Sequence, residues 1–214
     1  MFKSNLFTTA SVTALSTLSV CLGFTHSAQA LSFTEVDDAG ELLGTAQVIG
    51  GSGAITEISG NTDFDANDFA DLFKISLDGS FFSATTETTS TDFDTALFLF
   101  DSTGDVVLSN DDIDFDNFVV ESEISGNLAA GIYYLGITGS GYLPEDAFGS
   151  VINDPTDPPF GFDSVGTLAG WQDEPFEVGA YNISLTGVNA VPTPAAVLPI
   201  LSGLFTAARR KKNK

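Results

Sequence analysis

Carboxylates recur at short intervals in the middle of the chain, in the segment DIDFDNFVVESE from residue 112 to residue 123. Acidic side chains stand at its positions 1, 3, 5 and 12, which are Asp112, Asp114, Asp116 and Glu123. This is the spacing with which calcium loops bring hard oxygen atoms onto one hard cation. Asn117 occupies position 6, where such a loop turns sharply, and Asn tolerates the left-handed conformation better than most residues do. The spacing predicts a calcium site, and a solvated acidic surface that keeps the protein soluble is the alternative.

A second acidic cluster comes earlier, in the segment NTDFDANDFAD from residue 61 to residue 71. Its oxygen-bearing side chains include Asp63, Asp65, Asn67, Asp68 and Asp71. Carboxylate and amide oxygens are calcium ligands. The cluster is therefore a second candidate metal site, with the same alternative of a solvated surface.

Between residues 31 and 190 the chain carries all twenty-nine of its acidic residues against one basic residue, Lys74, so this body has a formal net charge of −28. It contains no Cys, His, Met or Arg. The lack of His and Cys excludes Ser-His-Asp and Cys-His nucleophiles, zinc sites built on imidazole or thiolate, and disulfides. A single lysine excludes a phosphate clamp and a nucleic-acid surface.

Carboxylate pairs for glycoside hydrolysis are the one kind of catalysis that this composition leaves open. Acidic residues are so numerous that such pairs are expected by chance. The sequence therefore predicts a protein that is not an enzyme and that has no cofactor other than calcium.

The amino-terminal residues have the three parts of a secretory signal peptide. Lys3 is followed by a mostly apolar run over residues 6–24, and then by HSAQA, in which Ala28 and Ala30 have the small-x-small spacing that signal peptidase accepts. We predict cleavage after Ala30, and an uncleaved anchor is the alternative.

The carboxyl-terminal residues form an apolar run, 195–208, that is followed by Arg209, Arg210, Lys211 and Lys212. At 1.5 Å per residue the run covers about 21 Å, which is less than the roughly 30 Å of a bilayer core. Lys and Arg favour the cytoplasmic side of a membrane. The pattern predicts an exported protein whose tail holds it, transiently or permanently, at the membrane.

The tail resembles PEP-CTERM sorting signals, which exosortase membrane proteases process in bacteria that make extracellular polysaccharide. The Pro-x-Pro part of the signal corresponds to Pro192, Thr193 and Pro194, and its basic end begins at Arg209 and Arg210. Thr193 stands where the family expects Glu. The resemblance implies an exosortase-type protease and signal peptidase as processing partners, with membrane contact only through this tail. A plain tail anchor is the alternative.

The body has the pattern of short strands separated by Gly, Asn, Asp and Ser, and no segment sustains helical periodicity. The predicted strands are residues 42–49, 54–59, 71–77, 81–86, 95–101, 106–109, 122–128, 131–138 and 180–187. Nine short strands in about 160 residues favour one all-β domain, a jelly-roll-like β-sandwich. The predicted domains are a signal peptide at 1–30, the sandwich at 31–190 and the sorting segment at 191–214.

Two local features of the body support further predictions. The strand at 95–101 places Leu97 and Leu99 on one face and its aromatic residues on the other, so both faces are expected to be buried. In the hairpin turn that follows, Gly104 is free to take a positive φ. The long connection from residue 139 to residue 179 carries Trp171, Phe160 and Phe162. These side chains either form an exposed surface for sugar rings or hold the connection onto the sandwich.

Residues 71–187 resemble the bacterial pre-peptidase C-terminal domain, whose pattern runs D-(S/T)-x-L-x-L-(F/Y)-D-x-x-G, N-D-D, an S-x-I strand and A-G-x-Y-Y. The matching residues are Asp94, Leu97, Leu99, Phe100, Asp101, Gly104, Asn110, Asp111, Asp112, Ser122, Ile124, Ala130, Gly131, Tyr133 and Tyr134. The resemblance implies a jelly-roll sandwich that is usually an accessory to secreted proteases. It also implies calcium ligands from the segment around residues 61–71 and from the acids that precede it, Glu35, Asp37 and Asp38.

Two functions are compatible with these patterns. The first is a non-catalytic protein of the cell envelope or extracellular matrix, which presents an acidic sandwich to extracellular polysaccharide or surface proteins. The alternative is a secreted carbohydrate-active or protease-accessory domain that acts through carboxylates. The missing His, Cys and Arg favour the first.

Overall fold

A computed structural model of the chain describes residues 30–86, 90–152, 166–172 and 177–192. Within these ranges the chain is built almost entirely of strands, which confirms the all-β prediction. The strands are β1 (Leu31–Thr34), β2 (Gln47–Val48), β3 (Gly50–Gly51), β4 (Ala54–Asn61), β5 (Ala70–Leu77), β6 (Phe81–Thr86), β7 (Thr95–Phe100), β8 (Val106–Asn110), β9 (Glu123–Asn127), β10 (Gly131–Gly139), β11 (Leu143–Glu145), β12 (Gly170–Gln172), β13 (Ala180–Asn189) and β14 (Val191–Pro192).

The strands form a two-layered β-sandwich. One layer runs β1-β4-β13-β6-β9, and the other runs β2-β5-β10-β7-β8. Strand β13 joins the two layers because its residues 183–186 pair with β6, whereas Val188 and Asn189 pair with Leu77 and Ser76 of β5. The change of partner occurs at Gly187, whose φ of 75° is a conformation that glycine adopts without strain.

The main core lies between the layers and receives side chains from both of them. Phe73 of β5, Leu99 of β7 and Leu135 of β10 meet Ile58 of β4 and Ile183 of β13 there, and all five side chains are fully buried. Burial of apolar surface of this kind is the main force that holds a domain without disulfides together.

Strand β7 is buried on both faces, as its sequence predicts. Leu97 and Leu99 belong to the core between the layers, whereas Ala96, Phe98 and Phe100 belong to a second cluster on the outer face. Trp171 covers that outer cluster, with its ring 5.6 Å from the ring of Phe98. The indole Nε1 donates a 2.7 Å hydrogen bond to the carbonyl of Glu41. Trp171 thus holds the long connection onto the sandwich, and Phe160 and Phe162 lie outside the described residues.

The predicted strand at residues 42–49 is wrong for most of its length. Only Gln47 and Val48 pair as a strand, because Thr45 and Ala46 both donate backbone hydrogen bonds to the carbonyl of Leu42 and close a turn. The other eight predicted strands agree with the structure within two residues at each end. The predicted turn at Gly104 also has the expected positive φ, of 98°.

The two ends of the sandwich differ in what they carry. At the end that we call the acidic end, β4, β8 and β10 finish and β5, β7 and β13 begin. At the opposite end the chain enters at Leu31, which pairs with Ile55, and leaves at Val191, which pairs with Gly50. The described part of the chain contains no helix with the length and apolar character needed to cross a bilayer.

Candidate functional site: two carboxylate groups at the acidic end

Among the described residues, two groups of three carboxylates have oxygen atoms that all lie within 4.8 Å of one another. The first group is Glu35, Asp68 and Asp71, and the second is Asp94, Asp111 and Asp112. Both groups lie at the acidic end, because their residues follow β1 or β8, or precede or begin β5 or β7.

The first group is assembled from three separate segments. Glu35 follows β1, and its two carboxylate oxygens accept hydrogen bonds of 3.0 Å from the backbone N–H groups of Ala39 and Asn61. Asp71 is the second residue of β5 and is fully buried. Asp68 ends a turn in which its backbone N–H and carbonyl both pair with Asp63.

Asp68 is the member of this group that lacks a partner. Its side chain is only 8% exposed, and its Oδ1 is buried without any hydrogen-bond partner. A buried polar atom without a partner is unfavourable by about 1–3 kcal/mol, and more when the group is charged. A cation bound among the three carboxylates would remove this penalty.

The electrostatics of the first group point the same way. Burial, together with the charges of neighbouring carboxylates, raises the pKa of Asp68 to about 7. Burial, and then the charge of Asp68, raises the pKa of Asp71 to about 8. The only basic residue of the body, Lys74, is engaged elsewhere, over the ring of Tyr134. The group therefore retains protons near neutral pH, and a divalent cation can replace them.

An open cavity of about 620 Å³ leads to the first group. Glu35 and Asp68 line it together with Asp37, Asp63 and Tyr181. Calcium takes six to eight oxygen ligands and accepts irregular geometry. The cavity leaves room for water or a second molecule to complete such a ligand shell.

The second group lies where β7 begins and β8 ends. Ser140 supports it by donating its backbone N–H to the carbonyl of Asp94 and its hydroxyl to the carboxylate of Asp111. Burial, and then the charges of Asp112, Glu177 and Glu121, raises the pKa of Asp94 to about 6. Burial also raises the pKa of Asp112.

The four residues predicted as a calcium loop are not brought together by the structure. Asp112 belongs to the second group, whereas Asp114 binds the backbone and side-chain nitrogens of Asn117, at 3.2 Å and 2.7 Å. Asp116 is exposed in the 3₁₀ turn Phe115–Asn117, and Glu123 is exposed at the start of β9. Calcium binding by these four residues stays a prediction.

The left-handed backbone expected at Asn117 falls instead on the next residue. Phe118 has φ 58° and ψ 39° and ends the 3₁₀ turn. The reason is the cap at the start of the turn, since the two hydrogen bonds that Asn117 donates to the carboxylate of Asp114 hold Asn117 inside the helical turn.

Most residues of the predicted processing signals lie outside the described ranges. These are Ala28, Thr193, Pro194, Arg209 and Arg210. Ala30 is described and exposed, and Pro192 pairs with Gly51 in the short sheet formed by β14 and β3. The predicted cleavage and sorting sites therefore stay predictions.

Sequence reasoning missed Tyr181 and the role of Asp94. Nothing in the local sequence of Tyr181 distinguishes it from any other aromatic residue of a strand. For Asp94 a signal existed, because β7 and β8 form a hairpin, and the residue before the first strand of a hairpin meets the residues after the second.

Comparison of the sequence with protein families and with curated proteins gives no match. Among solved structures, the chain is similar to the pre-peptidase C-terminal domain of a collagenase from Bacillus anthracis, with a TM-score of 0.35 and 10% sequence identity. The likeness covers 75% of this chain and 100% of that one. The solved domain belongs to the family that the sequence resembles, and a likeness of this strength says nothing about sites or ligands.

Proposed function

We propose that this chain is a non-catalytic, exported protein of the cell envelope or extracellular matrix, with calcium bound by Glu35, Asp68 and Asp71. The bound ion stabilises the acidic end, which is presented to extracellular polysaccharide or surface proteins. The observation that carries the proposal is the buried Oδ1 of Asp68, which has no hydrogen-bond partner, lies beside two further carboxylates and is reached from an open cavity.

The composition of the group selects the class of cation. Three carboxylates and no nitrogen or sulfur donor suit a hard ion such as calcium rather than zinc or copper. Because Asp68 and Asp71 come from the entry to β5 and Glu35 follows β1, an ion there links the amino-terminal strand to the opposite layer. A site of this kind stabilises a fold without catalysing a reaction.

The positions of the two ends of the sandwich are compatible with a protein that is anchored through its carboxyl-terminal tail. The chain continues past Val191 at the end opposite to both carboxylate groups. A tail that is held at a membrane or sorted there leaves the acidic end directed away from that membrane. Exported polymers and surface proteins are the molecules that this end meets.

Calcium binding is tested by thermal unfolding of the exported protein after removal of metal with EDTA. Calcium at about ten times its Kd adds about 1.4 kcal/mol of stability, which raises Tm by about 3–6 °C for a domain of this size. Magnesium at equal ionic strength should raise Tm less, because it requires a tighter octahedron. Equal effects of the two ions would contradict the proposal.

Single and double variants test which carboxylates bind the calcium ion. Asp68→Asn should abolish the difference between calcium and magnesium, whereas Asp65→Asn, an exposed acid of the same turn, should leave it unchanged. The double change Asp114→Asn with Glu123→Gln tests the loop predicted from its spacing, and Asp94→Asn tests the second group. An unchanged calcium effect in Asp68→Asn would exclude the first group.

Export and sorting are tested on native material by mass spectrometry. The mature protein should begin near Leu31 and should yield no peptide that contains RRKKNK. Intact tail in the extracellular fraction would contradict sorting by cleavage.

A further inference from the structure

A short hairpin at the acidic end, residues 112–122, exposes four large apolar side chains that belong to neither core: Ile113, Phe115, Phe118 and Val120. Phe115 is 78% exposed, Phe118 is 87% exposed and Ile113 is 44% exposed. We call this segment the tip hairpin. A soluble protein exposes single apolar residues without consequence, but several on one short segment mark a contact surface.

The backbone of the tip hairpin is held in an unfavourable conformation. Phe118 lies in the left-handed region, with φ 58°, where a bulky side chain is an outlier. Its side chain gains no burial from this conformation. Local strain that yields no packing is found mainly at binding and switching sites.

The tip hairpin is nevertheless well fixed. The N–H of Ile113 donates a 2.7 Å bond to the carbonyl of Glu121, and Asp114 and Val119 exchange both of their backbone bonds. At its base, the buried hydroxyl of Ser122 lies 2.5 Å from the carbonyls of Thr95 and Asp111 and donates its one proton to one of them at a time. The phenyl rings are therefore displayed by a preorganised loop, which lowers the entropy lost on binding.

Acidic side chains surround these apolar residues on every side in the sequence. They are Asp112, Asp114, Asp116, Glu121 and Glu123. No basic residue occurs between Lys74 and Arg209. An apolar centre with a charged rim is the usual anatomy of a protein interface. The single sign of the rim repels a second copy of this body and any anionic polymer, and it attracts a cationic partner.

The tip hairpin and the last described residues of the chain lie at opposite ends of the sandwich. The tip hairpin follows β8 and precedes β9, so it lies at the acidic end, whereas the chain continues past Val191 at the opposite end. The strands between the two ends are eight to ten residues long, which is about 25–33 Å. Val191, near the point where the described chain ends, is therefore about one strand length from the tip hairpin.

We propose that the tip hairpin is a docking site for a segment of a partner protein in which apolar and basic residues alternate. Phe115 and Phe118 enter contacts with its apolar side chains, and the acidic rim pairs with its lysines or arginines. This inference does not depend on calcium binding by the first carboxylate group.

The proposal is tested with a synthetic twelve-residue peptide of alternating leucine and lysine, and with a matched peptide in which serine replaces every leucine. Binding to the exported protein is measured by fluorescence anisotropy in EDTA. The leucine peptide should bind at least tenfold more tightly than the serine peptide. Equal binding would mean that charge alone acts and would overturn the proposal.

Protein variants locate the contact without changing the charge. Phe115→Ser and Phe118→Gly should each weaken binding of the leucine peptide about tenfold. Phe148→Ser is the matched control, because Phe148 is 93% exposed on a different acidic turn, next to Asp146. Its binding should change less than twofold. If all three variants bind equally well, the tip hairpin is not the docking site.

Two further measurements test whether the tip hairpin binds a second copy of this chain or a lipid surface instead of a partner protein. Sedimentation should show a monomer at the concentrations used, and vesicles of anionic phospholipid should not bind. If the protein self-associates and Phe118→Gly abolishes the self-association, the tip hairpin binds a second copy and the proposal is wrong. If the protein binds vesicles and Phe118→Gly abolishes that binding, the tip hairpin binds a lipid surface and the proposal is wrong. The thermal unfolding of each variant shows that loss of binding does not come from loss of the fold.

Discussion

The hydroxyl of Tyr181 donates a 2.7 Å hydrogen bond to Oδ2 of Asp71, a residue 110 positions away in the chain. Both side chains are buried, and they lie at the start of β13 and the start of β5, in opposite layers of the sandwich. Burial, and then the charge of Asp71, raises the pKa of Tyr181, so its phenol remains a hydrogen-bond donor at every pH in ordinary use. Because Asp71 belongs to the first carboxylate group, this bond ties that group to the opposite layer.

Removal of that donor should destabilise the protein. Tyr181→Phe keeps the ring in the core but leaves the buried Asp71 oxygen without its partner, which lowers the free energy of unfolding by about 1–3 kcal/mol. Urea unfolding in EDTA at pH 7 measures the change. Tyr133→Phe is the control, because its hydroxyl makes an exposed bond to the carbonyl of Ala129. A loss in Tyr181→Phe no larger than in the control would show that the bond contributes nothing.

The metal-free protein should become less stable as the pH rises from about 5 to about 8. The pKa of Asp94 is raised to about 6, that of Asp68 to about 7 and that of Asp71 to about 8, against about 3.9 in an unfolded chain. Between these limits the folded state binds protons that the unfolded state has released. Each such proton lowers the stability by up to about 1.4 kcal/mol per pH unit.

Urea unfolding in EDTA across this pH range measures the slope. Asp68→Asn should flatten it, because the amide does not titrate. Saturating calcium should reverse it, because the ion binds the deprotonated carboxylates. Stability that is constant or increases with pH in EDTA would contradict the raised pKa values.

Ser122 should be the most sensitive small residue of the acidic end. It is fully buried, and its hydroxyl contacts the carbonyls of Thr95 and Asp111 and lies 2.9 Å from the hydroxyl of Thr95. Ser122→Ala removes the hydroxyl that donates to one or the other of these carbonyls at this buried junction and should lower the free energy of unfolding by about 1–3 kcal/mol. Ser125→Ala, at an exposed position of β9, should change it by less than about 0.5 kcal/mol. Similar effects of the two changes would refute this assignment.

Glycine substitutions should have opposite effects at the two phenylalanines of the tip hairpin. Phe118→Gly relieves a left-handed conformation that is unfavourable by about 1–2 kcal/mol, and after the entropy of glycine is subtracted the gain in stability is about 0.5–1 kcal/mol. Phe115→Gly, inside the 3₁₀ turn, should reduce stability by about 0.5–1 kcal/mol. Chemical denaturation measures both, and a loss of stability in Phe118→Gly would show that the backbone there is not strained.

The acidic groups show where local patterns stop being informative. The spacing from Asp112 to Glu123 predicts one loop of ligands, but a short turn in that segment uses Asp114 to bind Asn117. The resemblance directed attention to Glu35, Asp68 and Asp71 among several other acids. Their convergence, and the absence of Asp63 and Asp65 from the group, depends on how β1 lies against β4 and how the turn before β5 closes.

The sequence by itself determined eight of the strands, the two buried faces of β7 and the turn at Gly104, because each follows from side-chain alternation or from the conformational range of one residue. It also limited the chemistry that is possible, since a body with one lysine and no His, Cys or Arg has carboxylates as its only abundant charged groups. Only the tertiary structure decided which carboxylates meet. Residues that are distant in the chain become neighbours through strand pairing and layer packing, and the partner of Asp71 lies 110 residues away because the starts of β5 and β13 face each other across the core.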